Sequence, residues 1–530
     1  MYDAIIIGSG LSAISAALQL RPKKILMLDV GFVPPAPEFP EEHLYNMRYC
    51  GKDLFNGLIG SNYEALRVLD NAISPKLKGP QMHYFWQRPK NISQDHSTHF
   101  NAVISYARGG LANAWGAGVM RYTNKELQQF PISAEDLNPY YDELTKHIGI
   151  TGEHDDLEKF FGSTKGLLPP LPLSPIAESF FKKYYKFKNS KNSNFFVGRL
   201  RMAVLSQEHR GRPAYKPMLQ DFYQGYNRSI YNPVFTLQEL CADHSIDYQS
   251  GFLVTHFQEE GNIVKVITKN LANNSQVIFQ AKQLFIGAGN INTARIVLQS
   301  FNDFSTKLPL LDNPVAFIPF MDLSKIGKSF PKNVYPGAEL VVVQDDKSYP
   351  EPVQASVYGL YGPMRSDIIE ELPLSLRSNI PAVKYLGAAM GMLQVFFPDK
   401  QSSSNYLQLQ KKGSLTLCHS ITEKGTYLDR TSSYSIYPFL HLLRKMGYFA
   451  SSYLCKFPVA GSSIHYAGSL PMKKNVQNRY ETNIHGLLAE TSSVYIIDAS
   501  TFPYLPSKNH SFTMMANAMR IAERAKNKSQ

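Results

Sequence analysis

The chain begins with a short apolar run, Ala4-Ile5-Ile6-Ile7, that meets two glycines spaced by one residue, Gly8-Ser9-Gly10. From Leu11 to Leu20 the apolar residues recur at helical spacing. The pattern predicts a strand, a tight turn and a helix. Gly8 would let the chain turn sharply, and Gly10 would let the backbone approach a pyrophosphate. Ala13 takes the third small slot, where helix and strand pack. The first helical turn, at Leu11 and Ser12, then offers backbone N–H groups to negative charge. A second apolar strand runs from Lys24 to Asp29, which places a carboxylate where it can hold the ribose hydroxyls of an adenosine.

The pattern changes several times further on. Residues 31–100 hold Pro34, Pro35, Pro37 and Pro40 and little periodicity, so loops covering a cofactor are expected. Tyr106 to Gly118 carries four glycines and four alanines in thirteen residues, a backbone able to lie against something flat or highly charged. Residues 124–165 read as helical, with Ser133 opening a helix, and 166–200 read as a Pro- and Lys-rich surface. Strand-like patterns resume at Ile230–Pro233, Ile246–Tyr248 and Gly251–Val254, followed by a hairpin around Asn273-Asn274. A buried strand then meets Gly287-Ala288-Gly289 and turns into a helix, which returns the chain to the nucleotide sheet. Residues 305–455 are richer in aromatics, with strand-like runs at 314–321, 339–343, 352–361 and 392–397. The end of the chain holds His465, an apolar strand closing on Asp498, the turn Ser507 to Thr513 and a long helix from Met514 to Arg524.

The expected fold class is α/β, α+β overall. A Rossmann-like dinucleotide domain is assembled from discontinuous segments, 1–304 and 456–530, with excursions at 31–100 and 124–228. A substrate domain at 305–455 has a largely antiparallel sheet.

At 530 residues the chain can build a large core, and an apolar share of 44% with 18% charged residues is that of a folded protein. The net charge of +12 is scattered, densest at Lys182–Lys191, with no Arg-rich block, so no nucleic-acid partner is expected. Cys50, Cys241, Cys418 and Cys455 lie far apart without a CxxC pair, which speaks against structural zinc and for reduced thiols; no metal is expected. A dinucleotide strand starting at Tyr2 leaves no room for a signal peptide, so a cytoplasmic location is expected. Ser432–Cys455, the most membrane-like stretch, reads as a core-facing amphipathic helix in preference to an interfacial one, so peripheral membrane contact is not favoured.

Taken together, these motifs resemble the glucose–methanol–choline (GMC) family of FAD-dependent oxidoreductases. The matching pieces are Gly8-Ser9-Gly10, the Gly109-Gly110 loop ending in Trp115-Gly116, the Gly287-Ala288-Gly289 return ending in Ala294-Arg295, and the block through Asn509 and Thr513. They stand in family order along almost the whole chain; 305–455 carries no match. The resemblance implies that Gly8, Gly10 and Asp29 hold the ADP half of FAD and that Val254 meets the adenine through its backbone. It places Gly109, Gly110, Asn113 and Ala114 along the pyrophosphate and flavin edge, with Trp115 and Gly116 after them. It puts Gly287 and Ala288 in the nucleotide fold, Asp498 and Ala499 at the pyrophosphate–ribityl region, and His510, Ser511 and Thr513 at the pyrimidine end of the flavin.

His465 matches the family's catalytic histidine and Asn509 its partner, a role for which His510 competes. Ala114 stands where some members carry a histidine bonded to the flavin, which implies non-covalent FAD. Trp115 replaces an asparagine common in the family.

The implied reaction is oxidation of a CH–OH group by hydride transfer to flavin. His465 would be the base, because imidazole titrates near neutrality, and Asn509 would position the substrate oxygen. The expected substrate is a small-molecule alcohol, with a sugar, polyol or sugar derivative ahead of a lipid-like or sterol alcohol. The electron acceptor, whether oxygen, a quinone or a carrier protein, is not legible. The alternatives are an FAD-containing lyase of the same fold, a NAD-dependent enzyme, and a nucleotide-binding module without catalysis.

Overall fold

The opening pattern folds as its periodicity predicts. The computed structural model describes residues 1–33, 46, 83–86, 88–89, 95–188, 194–217, 228–346, 351–361, 375–411, 413–419 and 434–528. Most of the 31–100 excursion, with Cys50, lies outside them.

Strand β1 (Tyr2–Ile7) leads through the glycine turn into α1 (Leu11–Leu20), and β2 (Ile25–Leu28) follows. Helix α2 (Ala134–Ile148) starts after Ser133, whose backbone N–H donates to the Asp136 carboxylate at 3.0 Å. The reading of 166–200 as surface is corrected. Helix α3 (Pro175–Lys188) buries Ile176, Ala177, Phe180 and Tyr184, and β3 (Phe195–Arg199) joins a sheet. The strand expected at Ile230–Pro233 is corrected as well, because Pro233 opens α4 (Pro233–Ala242). There the Asn232 side chain accepts from the Val234 N–H at 3.0 Å, and proline occupies a position whose N–H would have had no helical partner.

The chain continues as β4 (Ile246–Gln249), β5 (Phe252–Glu260), β6 (Ile263–Asn270), β7 (Gln276–Ile286) and α5 (Asn290–Ser300). The next elements are β8 (Val315–Met321), β9 (Ala338–Gln344), β10 (Val353–Gly359) and β11 (Met390–Phe396). Then come α6 (Tyr437–Lys445), β12 (Phe449–Ala450), β13 (Val494–Ile496) and α7 (Ser511–Lys528).

The first sheet runs β4-β2-β1-β7-β6-β5, with β13 also on β7. Strand β7 serves two neighbourhoods. Its first half alternates exposed and half-buried residues while pairing antiparallel with β6. Its last residues, Leu284 to Ile286, are fully buried between the parallel strands β1 and β13. Ala13, Ala16 and Ala17 of α1 pack against Ala518, Ile521 and Ala522 of α7, and small residues on both helices let the two axes come close. These segments are remote in sequence, as a doubly wound domain built in pieces requires.

The second sheet runs β12-β8-β11-β10-β9-β3, antiparallel throughout. Val342, Ala355, Leu393 and Ile318 face α3 and α6, where Phe180, Phe439 and Leu443 fill the core. Helix α6 is therefore core-facing, as its amphipathic pattern predicts. Among the described residues no helix is long and apolar enough to cross a membrane.

Within the first sheet, β1 and β7 come together at the turn after β1. Gly8 has φ +93°, and a Cβ placed there would lie 2.7 Å from the Gly287 carbonyl oxygen. Gly8→Ala therefore combines a left-handed backbone with a backbone clash. It should cost at least about 1–3 kcal/mol, seen as a lower midpoint in denaturant unfolding; a midpoint equal to wild type would show that the close contact is dispensable.

Candidate active site

The site has two ends joined by one loop. At the nucleotide end, Gly10 precedes α1 in extended conformation without a side-chain cap, and the first turn of α1 holds no acidic residue. Its N–H groups are thus available to an anion. The Ser9 hydroxyl donates to Asp29 and accepts from the Gly109 N–H at 2.9 Å. The Tyr248 hydroxyl reaches the same Asp29 oxygen at 3.3 Å. Burial pushes the Asp29 carboxyl up to about 6, against the pull of the Ser9 and Tyr248 hydrogen bonds. Arg108 lies over the Tyr248 ring at 5.2 Å, and its Nε is buried without a partner. Sequence reasoning missed Ser9, Arg108 and Tyr248, because nothing local links Tyr248 on β4 to Asp29. Val254 lies on β5, two residues past Phe252, whose N–H donates to the Asp29 carbonyl at 3.1 Å.

The loop from Tyr106 to Gly118 joins the two ends. Gly109 adopts φ +87°, and Gly110 to Ala114 form one tight helical turn. Asn113 stitches this loop, donating to the carbonyls of Arg108 and Gly110 at 2.8 Å and accepting from Asn232 at 2.9 Å. Trp115 is a strut: its indole N–H donates to the Tyr231 carbonyl at 2.9 Å, whereas Gly116 beside it is exposed. Ala114 packs with Phe85 and Val103, and Ile464 leans on the same cluster. A Cβ at Gly118 would come within 2.9 Å of the Asn509 side-chain nitrogen. The loop therefore runs from the Gly8–Gly10 turn to the segments that carry His465 and Asn509. That is the path an elongated dinucleotide needs, and the glycines leave its backbone bare.

Asp498 and Ala499 close the other side. The Asp498 carboxylate accepts from Gly289 N–H at 2.9 Å, Thr293 hydroxyl at 2.5 Å and Ser500 N–H at 2.9 Å, so it pins the 498–501 turn to the start of α5. Gly287 sits against Ser12, where a Cβ would meet the hydroxyl at 3.1 Å, and Ala288 follows it beside β1. Leu11 and Ser12 are buried under the turn. Ser511 begins α7, and the Thr513 hydroxyl is paired with that of Tyr141 at 2.7 Å.

At the other end, His465 is held through two consecutive residues that sequence reasoning did not single out. The Ser463 hydroxyl donates to the buried Asp312 and accepts from the His465 backbone N–H at 2.9 Å. Asp312 also accepts from Gly461 N–H at 2.6 Å, and burial pushes its carboxyl up to about 7. The next residue, Asn313, meets His465 Nδ1 through its Oδ1 at 3.0 Å. Its amide nitrogen donates to the carbonyls of Phe397 at 2.8 Å and Pro506 at 2.9 Å. Flipping the amide would face an oxygen to two carbonyls, so the orientation is settled by chemistry. With an acceptor opposite it, Nδ1 carries the proton and Nε2 is the basic nitrogen. Between Ser463 and His465, Ile464 takes φ +60°, a left-handed backbone that a β-branched residue rarely adopts. Such strain survives where the surroundings over-determine it, and it clusters at working sites.

The ring that abuts His465 is His510, at 5.0 Å between centroids and 78° between planes; on its other side Phe396 stacks at 5.0 Å and 20°. Burial pushes the His510 imidazole down to about 4, so it is neutral near pH 7. Asn509 Oδ1 and His510 Nδ1 are buried without hydrogen-bond partners, the state expected of groups placed to meet a ligand. Just before them, Lys508 is buried in an ion pair with Glu126 at 2.8 Å, which anchors the turn.

No protein-family model matches the chain, and no curated protein sequence does. Among solved structures, pyridoxine 4-oxidase from Mesorbium loti matches over 99% of both chains with a TM-score of 0.60 at 14% identity. At that identity the likeness is one of fold.

The Asn313 contact and the burial of Asp29 each give a test. Asn313→Ala should leave the fold intact but slow any reaction that uses His465 as a base by about 10–100-fold. In Asn313→Asp a carboxylate favours the imidazolium, so the acid limb of the pH–rate profile should move to higher pH; an unmoved limb would detach Asn313 from the base. Asp29 holds its proton more tightly folded (about 6) than at its ordinary value of 3.8, so its contribution to stability is lost as pH rises between those values. In the ligand-free chain, Asp29→Asn should therefore gain stability relative to wild type from pH 4 to 7 and hold level above. A difference that is constant with pH in thermal melts would contradict this.

Proposed function

We propose that the chain is an FAD-dependent oxidoreductase that oxidises the CH–OH group of a small alcohol, with His465 as the base. The observation that carries the reading is the tautomer of His465: Asn313 holds the proton on Nδ1 and gives Nε2 the lone pair. A base of this kind, beside polar atoms of Asn509 and His510 that lack partners, suits removal of a hydroxyl proton.

The residues fit the cofactor that the resemblance implies. The Gly8–Gly10 turn and the start of α1 would hold the pyrophosphate, Asp29 the ribose, and the loop from Gly109 to Gly118 the length of the molecule. Ala114 offers no nucleophile, so the FAD is held non-covalently. Bound FAD supplies the hydride acceptor. His465 Nε2 takes the hydroxyl proton, while Nδ1–H keeps its bond to Asn313 and holds the ring plane. Asn509 and His510 position the substrate oxygen. Phe396, stacked on the imidazole, keeps water from that face.

The substrate favoured is a sugar, polyol or sugar derivative. The name of the structural neighbour adds pyridoxine to the alcohols worth trying.

The test is an absorbance spectrum of the purified protein before and after anaerobic addition of sugars, polyols, simple alcohols and pyridoxine. Flavin bands that bleach with one of them, and a flavin released by denaturation, are the expected result. His465→Ala should retain flavin and reduce it about 10²–10⁴-fold more slowly. A protein that takes up no FAD, or a His465→Ala variant as fast as wild type, would defeat the proposal.

A further inference from the structure

We propose that Gln354 is the specificity-determining residue of this site and that its side-chain amide binds a vicinal diol of the substrate. This rests on the reading of the site as an alcohol oxidoreductase. Gln354 lies on β10 directly opposite Phe396 of β11, so the two side chains share one face of the sheet. That face is turned to His465, on whose ring Phe396 stacks at 5.0 Å. Its neighbours Val353 and Ala355 point the other way, into the core under α3 and α6. The strand enters the site beside the Asn509 turn, where the Ser507 hydroxyl donates to the Pro352 carbonyl at 2.8 Å.

Gln354 is 2% exposed, and neither its Oε1 nor its Nε2 has a hydrogen-bond partner. A buried amide with both ends unmet is costly, and water or ligand must answer it. The group that answers both ends together carries a donor and an acceptor on adjacent atoms. Two neighbouring hydroxyls do so, each able to give and to accept. A single hydroxyl can reach both ends only with both bonds bent, and an alkyl chain leaves both unmet. The same face continues with Ser356, opposite Gln394, which in turn stands opposite Phe317 on β8. Alternating polar groups and aromatic rings suit a hydroxyl-rich molecule with apolar C–H faces. Cross-strand neighbours sit roughly 5 Å apart, so the Gln354 amide lies beside Phe396, the ring that stacks on the His465 imidazole. The diol is held at Gln354 while a nearby carbinol faces His465.

The experiment uses the flavin-loaded enzyme with sorbitol, D-glucose and glycerol set against 1-propanol, benzyl alcohol and pyridoxine. At least one of the vicinal polyols should bleach the flavin anaerobically. Gln354→Ala should raise KM for that polyol about 10-fold or more, the scale of one or two lost hydrogen bonds, with little change in the rate at saturation. The preference in kcat/KM for that polyol over monohydroxy alcohols should fall by the same factor. Gln354→Glu keeps the shape and the acceptor but loses the donor, and should fall between. In a His465→Ala background, where turnover is suppressed, calorimetric affinity for the same polyol should drop by the same factor, which separates binding from chemistry. Unchanged polyol affinity in Gln354→Ala, or a wild-type enzyme reduced only by alcohols without a vicinal diol, would overturn this inference and leave alcohol oxidation standing. A flavin bleached by no alcohol would remove both.

Discussion

The contact on which the rest depends is between two backbones. Gly8 at the end of β1 lies so close to the Gly287 carbonyl at the end of β7 that a Cβ at Gly8 would clash with backbone, while a Cβ at Gly287 would press on the Ile497 and Ser12 side chains at 3.1 Å. These strands are parallel neighbours, and both end there. Their closeness makes one crevice of two turns, with the start of α1 on one side and the start of α5 on the other. Ligands of open α/β sheets lie at such carboxyl ends. The small residues of α1 and α7 serve the same end, because they seat both helices tightly behind the crevice.

A second device recurs at the joints. A buried carboxylate is tied by a hydroxyl and by backbone N–H groups to a segment far away in sequence. Asp312 takes the Ser463 hydroxyl and the Gly461 N–H; Asp498 takes Thr293, Gly289 and Ser500; Glu339 takes the hydroxyl and N–H of Ser174. At Asp29 the Ser9 hydroxyl passes the tie on to the Gly109 N–H. Among the described residues none of these four carboxylates forms an ion pair at contact distance. A hydroxyl satisfies the carboxylate without burying a second charge, at the cost of leaving the acid partly desolvated. That is why burial pushes Asp29 to about 6 and both Asp312 and Glu339 to about 7. A sheet assembled from discontinuous segments needs such ties where its loops meet, as at Asp29 and Asp498.

What the sequence made legible follows from how local each signal is. Gly8, Gly10, Asp29 and Gly287 to Gly289 belong to strand–turn–helix units that can be read within some twenty residues. Strands β8, β9, β10 and β11 of the second sheet were legible from their apolar runs, whereas β3 and β12 were not. The region 166–200 was not: Pro169, Pro170 and Pro172 dominate its composition and hide the helical spacing of Ile176, Phe180 and Tyr184. Asn232-Pro233 was a helix-start signal in view, read instead as the end of a strand.

Asn313 and Gln354 belong to another category. Asn313 matters because it meets His465 across the fold, and Gln354 because register sets it opposite Phe396. Pairing of that kind is a property of the sheet and cannot be read in either segment alone. His465, the proposed base, is therefore recognisable by its place in a motif, while the groups that neighbour its ring come from segments with no motif of their own. A pocket built in this way can keep its chemistry while its specificity changes. The proton on Nδ1 depends on one asparagine whose two N–H groups are held by backbone carbonyls, whereas the Gln354 side-chain amide has no hydrogen-bond partner within the chain.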